Sequence, residues 1–200
     1  IYEFYVKEER IFDPSIKAYH NDITVNKEAL DPETITILLN KPSGFICSHN
    51  DAGSLIYALI PQRWNRRNPK ISTIGRLDVD TTGAIILTDD GALNHKLSSP
   101  KSDVSKVYEA TLAVPLKGDE KEIFASGELM LNGEKKPLLP AKLEVLGETH
   151  VRLEICEGKY HQVKRMFAAV GNRVLTLHRV SFGGFTVEDL KEGSYKFIEL

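Results

Sequence analysis

Cysteine is scarce in this chain: Cys47 and Cys156 stand alone, far apart and without CxxC spacing. That excludes a disulfide-stapled scaffold and a cysteine-rich zinc module, and it suits a reducing cytoplasm. No apolar run approaches the roughly 18 residues of a membrane span, so a membrane is not among the expected partners. The histidines at 20, 49, 95, 150, 161 and 178 are scattered, and none forms an HxxxH or Cys/His ligand pair. A metal site is therefore not expected. There is no glycine-rich phosphate loop, since Gly183-Gly184 lacks the strand and helix context one needs, and so no nucleotide cofactor is expected. Internal repeats and low-complexity tracts are also missing. The first residue is Ile rather than Met, and the 200 residues are read as the retained part of a longer chain.

The most informative absence is local. The net charge is only −2, which by itself announces no polyanion partner. Yet no acid occurs from Ala52 to Leu77, where Arg63, Arg66, Arg67, Lys70 and Arg76 stand. None occurs from Gly158 to Val187 either, against Lys159, Lys164, Arg165, Arg173 and Arg179 with His161 and His178. If the fold unites these two stretches they form one cationic face suited to a nucleic acid; otherwise they are two solvated segments.

What is present is organised around Gly75-Arg76-Leu77-Asp78-Val79-Asp80-Thr81-Thr82-Gly83. The apolar run Ala84-Ile85-Ile86-Leu87 follows at once, so a turn bearing two carboxylates and an arginine is anchored on a buried strand. Glycine at both ends permits backbone conformations or close approaches that a side chain forbids. Asp78-Val79-Asp80-Thr81-Thr82 also fits the DxDxT pattern of haloacid-dehalogenase phosphatases. That pattern belongs after a buried strand, whereas here the apolar strand comes second. Asp80 is read as structural, binding turn amides.

Residues 1 to 32 carry short strands at Tyr2–Val6 and Ile23–Val25, separated by turns. From residue 33 the pattern predicts strands at 35–39 and 45–48, a short helix over 54–60 ended by Pro61, and a polar basic loop to 73. A helix capped by Asp89 or Asp90 runs to about Leu97, where Ser99-Pro100-Lys101 breaks it. Lys106–Ala113 alternates, but both faces are mixed and the buried one stays open. A helix over 118–126, a hairpin of 141–146 with 151–156, a helix over 162–170, and strands at 174–177 and 195–198 complete the chain. Val163, Met166, Phe167 and Val170 form the apolar stripe of the helix over 162–170. The expected class is α+β with a mixed, mostly antiparallel sheet.

Taken together with Glu157-Gly158-Lys159-Tyr160-His161-Gln162-Val163-Lys164-Arg165-Met166, the central motif resembles the pseudouridine synthases of the RsuA type. These isomerise a uridine in small-subunit ribosomal RNA. Leu39–Gly44, Leu87–Gly91, Ser99–Lys101, Lys106–Ala110, Leu177–Arg179 and Gly183-Gly184 support the resemblance, in the family's order from about residue 35 onward. It implies Asp78 as the catalytic residue and Tyr108 as the aromatic that stacks on the target uracil. Lys164 takes the basic position paired with the catalytic carboxylate, with Arg165 as the other candidate cation. Arg76 holds the nucleotide out of its helix, and Val163 packs near the base. Residues 1–32 would be the tail of an N-terminal RNA-binding domain, and residues 33–200 the catalytic domain of the pseudouridine synthase fold.

The chemistry is consistent with a chain that uses no cofactor. Uridine isomerisation breaks the glycosidic bond, turns the uracil and joins carbon 5 to the same ribose, with no net oxidation. One carboxylate serves as a nucleophile, toward ring or sugar, or as the base that takes a ribose proton. The implied partner is ribosomal RNA, 16S rRNA or a small-subunit assembly intermediate, bound by a cytoplasmic monomer. A large-subunit synthase and a non-catalytic RNA-binding module are the alternatives.

Overall fold

In a computed structural model that describes residues 2–99 and 102–199, the chain divides into two compact units, Ile1–Ile35 and Thr36–Leu200. The first holds β1 (Phe4–Val6), β2 (Glu9–Ile11), β3 (Ile23–Val25) and β4 (Glu28–Ala29), in a sheet of order β2-β1-β3-β4.

The second unit is built on a nine-stranded sheet. Its strands are β5 (Thr36–Lys41), β6 (Ser72–Ile74), β7 (Thr82–Thr88), β8 (Lys106–Leu112), β9 (Lys142–Val145), β10 (His150–Ile155), β11 (Val174–Phe182), β12 (Phe185–Thr186) and β13 (Tyr195–Phe197). The order is β13-β5-β7-β11-β8-β10-β9, with β6 on β7 and β12 on β11. Only β7 and β11 run parallel among the described pairs. Three helices, α1 (Gly91–Ser98), α2 (Glu120–Ala125) and α3 (Gln162–Ala169), connect them. The class is α+β with a mostly antiparallel sheet.

Position in the sheet explains composition. β7 lies between β5 and β11, so Ala84, Ile85, Ile86 and Leu87 are all fully buried and the run is continuous rather than alternating. β8 alternates, and the face left open by its sequence is decided: Tyr108, Ala110 and Leu112 are buried. Asp90 rather than Asp89 caps α1, its Oδ1 accepting from the amides of Ala92 and Leu93 at 2.9 and 3.0 Å. Asp89 pairs instead with Arg67 at 2.6 Å. The Ser99-Pro100-Lys101 break lies in part outside the described residues.

Three local expectations are corrected. Residues 45–48 make only an isolated bridge, Ile46 with Leu55, because both edges of β5 are already taken by β13 and β7. The helix over 54–60 contracts to a 3-10 turn at Ile56–Leu59. The basic loop contains a second 3-10 turn, Gln62–Arg66, and buries Trp64 against the ring edges of Tyr195 and Phe197 at 5.4 and 5.7 Å. One large aromatic gains enough from burial to order an otherwise solvated segment.

Candidate active site

Asp78 sits on the turn between β6 and β7, at the wall of a cavity of about 540 Å³. The turn is nailed down from beneath. Lys41, at the end of β5, is fully buried, and its ammonium donates to the carbonyls of Thr81 (2.8 Å), Pro42 and Asp78 (both 3.1 Å) and Val79 (3.2 Å). Its three N–H groups are thus shared among four backbone acceptors. Burial pushes the Lys41 pKa down, and nearby Cys47, Asp80 and Asp78 only partly offset this. Lys41→Met leaves those carbonyls without their donor, and a loss of about 3 kcal/mol is expected. A thermal melt together with the turnover rate would check it: both fall if Lys41 holds the turn, and an unchanged melting temperature contradicts that role.

Above the nail, the Asp78 carboxylate has a nitrogen of α3 or its leading turn beside each oxygen. Lys164 Nζ lies 2.9 Å from Oδ2, and His161 Nε2 lies 3.2 Å from Oδ1. Lys164 also bridges to Asp80 Oδ1 at 2.7 Å. Burial disfavours the Lys164 ammonium, but its hydrogen bonds to Asp80 and Asp78 outweigh this and hold its pKa above the ordinary lysine value. The hydrogen bond from Lys164 likewise holds the Asp80 carboxyl below its usual range. Asp80 therefore braces Lys164 in addition to accepting from its own turn amide, the structural role expected of it.

The loop before α3 is ordered by its own polar groups. Gln162 Oε1 accepts from the Lys159 amide at 2.8 Å, and Gln162 Nε2 donates to Glu157 at 3.1 Å. His161 takes the left-handed conformation (φ 47°) and stacks on Tyr160 with ring centroids 3.8 Å apart. The apolar side of α3 (Val163, Met166, Phe167) is buried, which leaves Lys164 free to face the Asp78 turn.

The expected site residues are not all brought together. Arg76, Asp78, Tyr108, Val163 and Lys164 line the one cavity. Tyr108 is 8% exposed, with Arg179 Nη1 at 3.4 Å from its hydroxyl oxygen. Arg165 does not join them. It is tied to Glu134 Oε1 (2.9 Å) and to the carbonyls of Tyr160 (3.0 Å) and Asn132. The two acid-free stretches meet only in part: Arg76 from the first joins Lys159, His161, Lys164 and Arg179 from the second, while Arg67 is neutralised by Asp89.

Sequence reasoning passed over Lys41, Arg179 and the contact of His161 with Asp78. Their available signals were a lysine closing an apolar strand and the unbroken lack of acid around residues 161 and 179. Among the described residues no group of three or more His, Cys, Asp or Glu side chains converges to hold a metal ion.

Comparison with known proteins places this geometry in context. The family described as RNA pseudouridylate synthase matches residues 35–169. The ribosomal small subunit pseudouridine synthase A of Escherichia coli (strain K12) is 47% identical over 163 residues, covering 80% of this chain and 68% of that protein. Its namesake from Vibrio cholerae is 45% identical over 163 residues, covering 81% and 69%. A crystal structure described as a pseudouridylate synthase superposes with a TM-score of 0.77 at 42% identity, over 98% of this chain and 85% of that one. An archaeal box H/ACA complex of Nop10 and Cbf5 matches at 17% identity with a TM-score of 0.54, covering 92% and 58%, a likeness of fold alone.

Proposed function

The chain belongs to the RNA pseudouridylate synthase family, and from that premise we propose that it isomerises a uridine to pseudouridine in small-subunit ribosomal RNA, 16S rRNA, with Asp78 as its catalytic residue. The observation that carries the assignment of Asp78 is its carboxylate, held between Lys164 and His161 at the wall of a cavity that Arg76, Tyr108 and Val163 also line. A carboxylate oxygen has two acceptor positions, so one nitrogen neighbour on each leaves both oxygens able to meet a substrate. A cavity of about 540 Å³ suits one extruded nucleotide.

The work divides accordingly. Extruding a base from its stack costs on the order of a few kcal/mol. Arg76, exposed at the mouth of the cavity, fills the vacated space, and the Tyr108 ring offers the uracil a stacking face. Val163 closes the apolar side. Lys164 supplies the positive charge that keeps Asp78 oriented, and Asp80 keeps Lys164 in place. Arg165 serves the site indirectly, by holding the Glu134 loop against the start of α3.

Residues 1–32 are, on this reading, the last strands of an RNA-binding domain, supported by their four-stranded sheet. The protein acts as a cytoplasmic monomer on ribosomal RNA or a small-subunit assembly intermediate. No helix among the described residues is long and apolar enough to cross a membrane.

The decisive experiment maps pseudouridine in ribosomal RNA from cells with and without the gene, and repeats the reaction with purified protein. One small-subunit site that is lost with the gene and restored by the protein is the expected result. A lost large-subunit site would move the target, and no lost site would refute the activity. Tyr108 divides the stacking role from any role of its hydroxyl. Tyr108→Phe is expected to stay within about tenfold of the parent, while Tyr108→Leu loses roughly 10- to 100-fold, the value of one base–aromatic stack. Equal losses in single-turnover assays would implicate the hydroxyl instead.

A further inference from the structure

Arg179 is a buried cation whose hydrogen-bonding capacity is mostly unused. It is 2% exposed, Nε donates to the Ala84 carbonyl at 2.6 Å, and Nη1 makes only the long contact to Tyr108. Nη2 is buried and has no partner. At most two of five N–H donors are satisfied, and no carboxylate among the described residues pairs with it. Lys41, equally buried, shows the ordinary solution, with every donor on a carbonyl.

A second cation faces the same spot. Lys106 lies on the Tyr108 face of β8, donates to the Val104 carbonyl at 2.7 Å, and lines the same cavity. Both cations lean on one ring: Lys106 Nζ is 5.6 Å and Arg179 Cζ 5.0 Å from the Phe182 centroid. A bulge in β11 between Arg179 and Ser181 makes this possible. It sets Arg179 opposite Tyr108 and Phe182 opposite Lys106, so that both β11 residues share one face. Burial first, then the Arg179 charge, pushes the Lys106 pKa down. Glu157 and Cys156 offset only part of this, and no carboxylate among the described residues pairs directly with either cation. Crowded cations are costly, and buried polar groups left unpaired call for a missing partner.

We infer that Arg179 and Lys106 form a cationic subsite for the negative charge that the uracil ring carries while it is detached from ribose. The inference rests on the isomerisation proposed above. When the C1′–N1 bond breaks, its electron pair stays with N1 and spreads onto the O2 and O4 carbonyl oxygens. C1′, left electron-deficient beside the Asp78 carboxylate, is bonded by C5 through a ring electron pair once the ring has turned; the C5 proton passes to the Asp78 carboxylate or water, and N1 takes one up from water. The product is an isomer and nothing is oxidised. The charge exists only between the two bonds, so cations placed at the inner wall stabilise the reaction path rather than the bound substrate. Phosphates, the other anions of the substrate, stay on the strand at the cavity mouth, whereas the extruded base enters deepest.

Lys106→Met is the primary test, because Lys106 is only half-buried and its loss spares the Arg179 bond to Ala84. A melt that matches the parent establishes the fold. Single-turnover isomerisation is expected to slow by about 10²-fold, the scale of one removed charge-stabilising donor. RNA affinity and its salt slope should stay within about twofold of the parent. Arg179→Lys, which keeps the charge, should be milder than Arg179→Met. RNA carrying 5-fluorouridine, whose ring bears negative charge more readily, should shrink the Lys106→Met loss when consumption of the fluorinated nucleoside is followed. A weakened affinity with a shallower salt slope would assign the pair to a phosphate and overturn the inference, as would an unchanged rate. A parent protein that makes no pseudouridine refutes the proposed activity itself, so the two failures are told apart.

Discussion

Asp78→Asn is expected to lower pseudouridine formation by at least about 10³-fold while leaving RNA affinity within a few-fold of the parent. The amide keeps the size and planarity of the carboxylate and lacks its charge, so it cannot act as nucleophile or base. Lys164 would keep Asp80 as a partner, and His161 can still meet the amide oxygen. Little strain should follow, because the side chain is a quarter exposed and the turn is held through main-chain carbonyls on Lys41, not through the carboxylate. Release of tritium from RNA labelled at carbon 5 of uridine measures the reaction directly, since that hydrogen is lost in the product. Residual turnover within about tenfold of the parent would remove Asp78 from the role proposed for it.

Gly83→Ala is expected to cost the catalytic unit about 3 kcal/mol or more, the largest stability effect of a single methyl group anticipated in this chain. Gly83 has φ +106° where β7 runs parallel to β11, and a Cβ there would stand 2.2 Å from the Arg179 carbonyl oxygen and 2.8 Å from its nitrogen and carbonyl carbon. Every one of those atoms is backbone, so no side chain can swing aside. Relief requires β7 and β11 to separate, which moves the Asp78 turn and Arg179 together. For a unit of this size the melting temperature should fall by roughly 10 °C, read by calorimetry, with activity falling in parallel. Gly75→Ala is the internal control. Its φ is +69°, but a Cβ would meet nothing within 4 Å, so only the backbone penalty of about 1 kcal/mol applies. Equal effects at the two positions would mean that conformation, not close approach, governs Gly83.

Much of this was legible in the linear chain because it depends on neighbours a few residues apart. The buried strand after the Asp78 turn, the apolar stripe of α3, a capping aspartate before α1 and the ordered motifs of the family all follow from local pattern. Glycine at both ends of the central turn marked a backbone constraint, and Gly83 owes its place to the close approach of β11. Residues 45–48 and the basic loop that buries Trp64 depart from their local pattern for one common reason. Whether a segment packs or pairs depends on which aromatic pocket or sheet edge remains open, and that is a property of the assembled sheet.

By itself the sequence determined most of the strands and helices, the apolar stripe of α3, and that the Asp78 turn is anchored on a buried strand. Only the tertiary structure decided which charges meet. Lys164 rather than Arg165 reaches Asp78 across 86 residues, His161 takes the other carboxylate oxygen, Lys41 fastens the turn, and a bulge turns Arg179 and Phe182 to one side. Periodicity orients a side chain only relative to its own helix or strand. Strand register and loop crossings, which depend on packing over the whole sheet, bring distant side chains within the few ångströms over which hydrogen bonds and ion pairs act.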